Sequence, residues 1–360
     1  MKDLECPGRA RFQADVERAA RGAMETEGLK NATFLVTGAT GLVGGAFVRA
    51  VLCANRLWGL NARVLAPVRD MDRACRALSG VFDREELRVF PMDVTRPMRI
   101  DGPVDYILAG AGVTKSRLFV TEPVETVETA LMSAECALRL AREKRVKGMV
   151  YLSSMEAFGV TDPALASVLE EDLGKIDLAS VRSSYSESKR MAECLCAAYA
   201  AEYALPVKIA RLSQTFGAGV RPDEGRVFMQ FALSALRGES IVLHTTGESF
   251  GNYVALPDAV RAIFTLLTRG EPGKAYTVTN PESCVPIREL ARRAIRVLAR
   301  TPVDVVMDIP TDPLRYGYAP DVKTRLSADR MMSLGWKPEM SLDETLRSLG
   351  DDLREMGMAE

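Results

Sequence analysis

Between residues 34 and 45 a short apolar run, Phe34-Leu35-Val36, leads straight into Thr37-Gly38-Ala39-Thr40-Gly41-Leu42-Val43-Gly44-Gly45, and a helical stretch follows. Few sequence features restrict a fold so strongly. Glycines at 38, 41 and 44 let the chain turn tightly off a strand, bring bare backbone close to a pyrophosphate, and let the next helix pack near the sheet. That helix presents its positive end and its unpaired N–H groups to the anion. The pattern predicts a β–α–β unit that holds a dinucleotide, with Gly38, Thr40, Gly41, Leu42, Val43 and Gly44 against it.

The rest of the chain agrees with this beginning. Thr33–Thr37, Arg63–Val68, Leu87–Phe90, Val104–Leu108, Met149–Ser153 and Val207–Ala210 read as strands, separated by helical segments such as Leu42–Asn55, Val124–Lys144 and Ser186–Tyr203. Such alternation predicts an α/β fold of the Rossmann type, a doubly wound parallel sheet with helices on both faces. After about residue 212 the pattern loosens into helices at Arg226–Arg237, Asp258–Thr268, Ile287–Ala299 and Leu342–Asp352. The expected division is a helical extension over 1–30, a dinucleotide-binding domain over 31–212, and a smaller C-terminal α/β substrate-binding region over 213–360, with some chain returning to the first core. In the extension Phe12, Val16 and Met24 are the apolar anchors.

Bulk chemistry excludes several functions. Lys and Arg number 47 against 48 Asp and Glu, so no excess charge favours nucleic acid or an anionic membrane. The N-terminal stretch has no signal-peptide core, and no run is apolar enough to span a bilayer. Seven scattered cysteines, with Cys194 and Cys196 on different sides of one helix, point to reduced thiols and a cytoplasmic location, without a metal pair. The single histidine, His244, excludes a multi-histidine metal site, so no metal is expected. It lies in an apolar strand-like run, and acid–base chemistry falls to Tyr, Lys, Glu or Asp.

At the exit of the second strand an acid would bind the adenosine ribose and repel a 2′-phosphate. This strand ends Val68-Arg69-Asp70, so Arg69 favours NADP while Asp70 leaves room for NAD. Asp93 and Val94 close the third strand towards the adenine, and Ala109-Gly110-Ala111-Gly112 ends the fourth with residues small enough to let a cofactor pass. Tyr185 and Lys189 stand four apart on a predicted helix and so share a face. An ammonium beside a phenol is expected to lower its pKa, making Tyr185 a base for a hydroxyl proton. Ser153 and Ser154 end the preceding strand, where their hydroxyls could hold the same oxygen.

These residues carry a resemblance that covers almost the whole chain. The 38–44 loop, Tyr151-Leu152-Ser153-Ser154-Met155-Glu156-Ala157-Phe158-Gly159, Tyr185-Ser186-Glu187-Ser188-Lys189-Arg190, Ile209-Ala210-Arg211 and Leu334-Gly335-Trp336-Lys337-Pro338 look like the extended short-chain dehydrogenase/reductases of the nucleotide-sugar epimerase/dehydratase group. The resemblance implies Ser154, Tyr185 and Lys189 as catalytic residues, a bound nicotinamide dinucleotide, a nucleotide-sugar substrate and a homodimer. Arg182-Ser183-Ser184-Tyr185 and Asp223-Glu224-Gly225-Arg226-Val227-Phe228 are similar to segments of UDP-glucuronate decarboxylases. Glu156 matches the Glu that decarboxylases and 4,6-dehydratases place beside the sugar, and Arg182, Gln214, Arg226 and Arg325 are the implied substrate contacts.

Two departures stand out. Where dehydratases carry an acidic Asp this chain has Met155, which disfavours dehydration. The Arg that the group uses on the nucleotide diphosphate is missing from Glu248–Tyr253, which reads Ser249-Phe250-Gly251-Asn252 at its centre, leaving Arg226 or Arg325 to supply the charge. The expected reaction is a decarboxylation through transient C4 oxidation. A 4-epimerase or 4-ketoreductase is the first alternative, and a non-catalytic dinucleotide sensor the more remote one.

Overall fold

A computed structural model of the chain describes residues 4–309 and 323–358. Its strands are β1 (Thr33–Thr37), β2 (Arg63–Val68), β3 (Leu87–Pro91), β4 (Tyr106–Ala109), β5 (Gly148–Ser154), β6 (Val207–Leu212), β7 (Gln214–Phe216), β8 (Ile241–Leu243), β9 (Phe250–Ala255), β10 (Ala275–Val278), β11 (Asn280–Pro286) and β12 (Val305–Met307). The helices are α1 (Ala10–Met24), α2 (Leu42–Trp58), α3 (Met71–Ala77), α4 (Leu118–Thr121), α5 (Pro123–Lys144), α6 (Ser183–Tyr203), α7 (Val227–Arg237), α8 (Leu256–Arg269), α9 (Ile287–Leu298), α10 (Asp329–Met332) and α11 (Leu342–Glu355).

Seven strands form one parallel sheet in the order β10-β6-β5-β4-β1-β2-β3. The order reverses between β1 and β4, where Thr37 pairs with Ala109, so a crevice opens at the carboxyl ends of those two strands. The doubly wound sheet expected from the alternation is therefore present. Strands β1 and β5 bury nearly every residue, as a sheet covered on both faces requires. Their β-branched and aliphatic side chains feed two cores. One contains Phe34, Val36 and Val150 with Phe47 and Val51 of α2 and Ile263 of α8; the other joins Leu35, Ile107 and Met149 to Ala137 of α5 and Ala192 of α6. A third core, around Phe228, Leu290 and Leu346, holds α7, α9 and α11 together.

Two features lie beyond the alternating pattern. After the excursion through β7–β9 and α7–α8 the chain returns as β10, which pairs with β6 at the edge of the main sheet. The N-terminal helix α1 packs over α2 and α8 and reaches α11. Its buried Phe12, Val16, Ala19, Ala20 and Ala23 make one apolar stripe. Met24, expected as an anchor, falls one residue past that stripe and is 47% exposed. At Gly22 a Cβ would stand 3.0 Å from the Arg261 Cα, so the absent side chain sets how closely α1 approaches α8.

Charged groups fix this helix further. Glu5 is fully buried, taking Arg56 at 2.9 Å and Gln13 Nε2 at 2.7 Å. Arg9 Nε donates to Asp352 of α11 at 2.8 Å, and the Ser348 hydroxyl donates to Asp15. Asp352 also accepts the Gly219 N–H at 2.7 Å, so the start of the chain, its last long helix and the loop after β7 meet at one point.

Candidate active site

One cleft of about 620 Å³ runs across the carboxyl ends of the strands, from Val68 and Arg73 past the 38–44 loop to Gln214 and Val227. That volume suits a sizeable ligand enclosed by protein. Gly38 has a φ of +77°, and a Cβ on it would lie 2.5 Å from the Gly110 oxygen. A Cβ on Gly44 would lie 2.4 Å from the Gly38 oxygen. Both positions exclude any larger residue. Gly41 is the N-cap of α2 and carries no side chain to cap it, so the first N–H groups of the helix keep their donors for an anion in the cleft. These residues fit a dinucleotide pyrophosphate.

Of the expected cofactor contacts, Gly38, Thr40, Gly41, Leu42, Val43, Gly44, Arg69, Val94 and Ala111 line the cleft. Asp93 and Ala109 do not. The Asp93 carboxylate turns to Thr95, accepting from its N–H at 3.0 Å and its hydroxyl at 2.7 Å. Ala109 is 4% exposed and faces the second core, because alternation along β4 points it away. Asp70 accepts the Arg73 N–H at 2.8 Å as the N-cap of α3.

The far end of the cleft brings Ser154, Glu156, Tyr185, Lys189, Arg182, Gln214 and Arg226 together. Ser154 leaves β5 as the N-cap of a short 3₁₀ turn over Met155–Phe158, and its oxygen accepts the Glu156 N–H at 3.2 Å. Glu156 is held by Arg182 through two bonds of 2.8 and 3.2 Å and by the Ser186 hydroxyl at 3.4 Å. Arg226 pairs with Glu224 at 2.7 Å. Arg325 lies elsewhere, with its guanidinium 4.6 Å from the Phe250 ring centre, and does not line the cleft. In the stretch that lacks the diphosphate Arg, the Asn252 side chain is spent on backbone, donating to the Thr324 carbonyl at 2.9 Å and accepting from the Leu326 N–H at 3.0 Å. Arg226 is thus the one of the two proposed substitutes that the fold brings to the cleft.

Two expectations are corrected here. Ser153 does not join Ser154; its hydroxyl donates to buried Glu193, which also holds Arg211 at 2.7 Å. Successive strand residues point to opposite faces, so although both serines line the cleft, the Ser153 hydroxyl is turned away to Glu193. Nor is the Tyr185 phenol lowered. Burial pushes it up to about 12, against an opposing hydrogen bond from Ser154 and the weaker pull of Arg226 and Arg182. Lys189 spends its amine on the end of β5, donating to the Leu152 carbonyl at 2.7 Å and to the Tyr151 hydroxyl at 3.3 Å. Its Nζ stands 5.8 Å from the Tyr185 ring centre, and burial lowers its own pKa to about 8.

Phe119 is a cleft residue that no sequence pattern announces. Its ring stacks on Tyr185 with centres 4.1 Å apart and planes 6° from parallel, and the Arg182 guanidinium lies 5.4 Å from its ring centre. The Ser184 hydroxyl donates to the Phe119 carbonyl at 3.0 Å, tying short α4 to the start of α6. A four-residue helix has no periodicity to read, so this contact had no local signal.

Known proteins resemble the chain over this same region. The NAD dependent epimerase/dehydratase family matches residues 34–279. UDP-glucuronic acid decarboxylase 6 of Arabidopsis thaliana is 27% identical over 327 residues, covering 90% of this chain and 89% of that protein. The dTDP-D-glucose 4,6-dehydratase of Bos taurus is 26% identical over 261 residues, covering 70% of this chain and 68% of its own. In structure, the UDP-glucose 4-epimerase of Thermotoga maritima superposes with a TM-score of 0.73 at 19% identity, covering 90% of this chain and 99% of that one. The family match spans more than half of the sequence and includes both the glycine loop and the Tyr185–Lys189 helix: the chain belongs to the NAD-dependent epimerase/dehydratase family of enzymes.

Proposed function

We propose that this enzyme modifies a nucleotide-activated sugar by transient oxidation at C4, and that its reaction is decarboxylation of a UDP-glucuronate-like substrate. The observation that carries the reading is the single cleft, which joins the bare N-terminus of α2 to Ser154, Glu156, Tyr185 and Lys189. Relatives named as decarboxylases and dehydratases support the substrate class. In this reading residues 31–212 with β10 hold the dinucleotide, and the remainder up to 360 supplies the substrate side.

When bound, the oxidised dinucleotide supplies a hydride acceptor and a positive charge beside Tyr185. Tyr185 takes the C4 hydroxyl proton, and Ser154 hydrogen-bonds the oxygen as it becomes a ketone. That ketone is β to the substrate carboxylate, so the C5–C6 bond breaks, CO2 leaves and the electron pair passes to the C4 oxygen. Glu156, held as a carboxylate by Arg182 and Ser186, would orient the water that gives a proton to C5. Tyr185 would then give its proton back to the C4 oxygen, and a hydride returned by the dinucleotide would leave no net redox change. Met155 has no proton to give a leaving hydroxyl, which favours decarboxylation over dehydration.

The proposal includes a homodimer formed through the outer faces of α5 and α6, where Val124, Met132 and Met191 are exposed. It includes a reducing compartment, since all seven cysteines are free. Among the described residues no helix is long and apolar enough to cross a membrane. The test is incubation of the purified protein with UDP-glucuronate and NAD(P)+, followed by mass analysis of the nucleotide sugar. Conversion to a UDP-pentose supports the reading. A product of unchanged mass but altered C4 configuration supports the 4-epimerase instead, and consumption of one reductant per sugar supports a 4-ketoreductase, which Arg69 favours.

A further inference from the structure

Arginines line both ends of the cleft, but only one end matches them with acids. Arg182 and Arg226 pair with Glu156 and Glu224 at 2.8 and 2.7 Å. Arg69, at the exit of β2, and Arg73, the third residue of α3, are exposed to the cleft and take part in no ion pair among the described residues. Arg73 also sits in the first turn of its helix, where the positive end of the backbone disfavours a cation.

On the strand side no carboxylate forms an ion pair with them among the described residues, and Asp93 gives Arg69 only a weak electrostatic pull. The last residue of β2 is Val68, apolar and buried, so the strand ends without the carboxylate that would take a ribose diol. Asp70 is the nearest acid in sequence, and its oxygen is taken by the Arg73 N–H as the cap of α3. Asp93 is turned to Thr95 and, at 3.6 Å, to Arg96. Two cations with no carboxylate in ion-pair contact, on the side of the glycine loop where the adenosine half of a dinucleotide must lie, make a receptor for an anion carried on that half.

We infer that Arg69 and Arg73 form a subsite for a phosphate monoester on the adenosine ribose, so that the enzyme takes NADP(H) in preference to NAD(H). The inference rests on the reading of the 38–44 loop as the dinucleotide site, and it departs from what the family's name suggests. A phosphate monoester carries close to two negative charges at neutral pH, and guanidinium groups grip such oxygens through paired N–H donors. Because both arginines are exposed, the preference depends on ionic strength.

Titration of the full-length protein, freed of any co-purified dinucleotide, with NADPH and NADH tests this through nicotinamide fluorescence. NADPH is expected to bind on the order of 100-fold more tightly. The double variant Arg69→Ala/Arg73→Ala should lose most of that factor while its NADH affinity stays unchanged, and 2′,5′-ADP should displace NADPH from the wild type only. Added salt should weaken NADPH and spare NADH. Equal or tighter binding of NADH by the wild type overturns the inference, as does a double variant that loses both dinucleotides alike. Failure of both dinucleotides to bind overturns the inference and the reading of the glycine loop beneath it, which separates the two failures.

Discussion

Arg182 and Arg226 enter the cleft already committed to glutamates, whereas Arg69 and Arg73 stand exposed at the opposite end, in no ion pair among the described residues. An arginine that already has a partner binds a new anion only by exchange. Such a site favours ligands that reproduce what they displace and discriminates more than it attracts. An unmatched, exposed pair gives up little but hydration, so it attracts readily and is easily screened by salt. The chain thus combines selection at the reacting end with capture at the other. Burial follows the same division: Tyr185 is 9% exposed and Lys189 6%, while Arg69 and Arg73 are on the surface.

The comparison can be broken first at its most buried point. Tyr185→Phe removes the phenol at the reacting end of the cleft and should lower kcat about a thousandfold. Dinucleotide affinity, read by fluorescence titration, should not change; a matching loss of affinity would mean that Tyr185 holds the cofactor more than it moves a proton. Gly44→Ala attacks the capturing side. Its Cβ would meet the Gly38 oxygen at 2.4 Å, and the loop must shift by backbone movement. A dinucleotide Kd raised roughly 100-fold, with a stability loss of about 2–3 kcal/mol by urea unfolding, is the expected result.

Glu156→Gln sharpens the reading of matched arginines. The variant frees Arg182 from a charge while keeping the shape, so kcat should fall about tenfold to a hundredfold while KM for a uronate substrate stays level or drops. A rise in KM with unchanged kcat would show that Glu156 binds and does not react. The smallest effect is on pH-dependent stability. Burial holds Lys189 near 8 instead of 10.5. Below pH 8 it is protonated in both folded and unfolded chain, and the burial cost is carried in full. Between 8 and 10.5 the unfolded chain binds more protons, so stability rises with pH. The wild type should therefore gain on Lys189→Met by on the order of 1 kcal/mol from pH 8 to pH 10, measured by urea unfolding at each pH. Parallel curves would place the amine in a wetter setting than the one described.

Much of this was open to reading from local pattern. The β1–loop–α2 unit needed only strand, glycine spacing and helix in sequence, and its bounds at Thr33–Thr37 and Leu42 came out as expected. Alternation would also have separated Ser153 from Ser154, since neighbours on a strand face opposite ways. Other features depend on distant partners. The four-residue spacing of Tyr185 and Lys189 put them on one helical face but could not reveal that the Leu152 carbonyl takes the lysine's proton donor. Phe119 reaches Tyr185 from a segment 66 positions away with no periodic signal of its own. Asp93 and Arg325 carry suitable chemistry but follow local contacts, with Thr95 and with the Phe250 ring, that turn them from the cleft.

Helix α1 has a further consequence, for the order in which the molecule can assemble. Its stripe rests on α8, and its polar anchors are Ser348 and Asp352 of α11, more than 300 positions downstream. A fifteen-residue helix is marginal on its own in water. During synthesis α2 follows at once to cover part of the stripe, but α8 and α11 emerge much later, so the rest of that surface stays unhoused until they do. The sheet from β1 to β6 can pair as it emerges, but the polar anchors of α1 must wait for α11, which follows β10. A helix made before the sheet is thereby fully secured only after it, and its docking closes the fold.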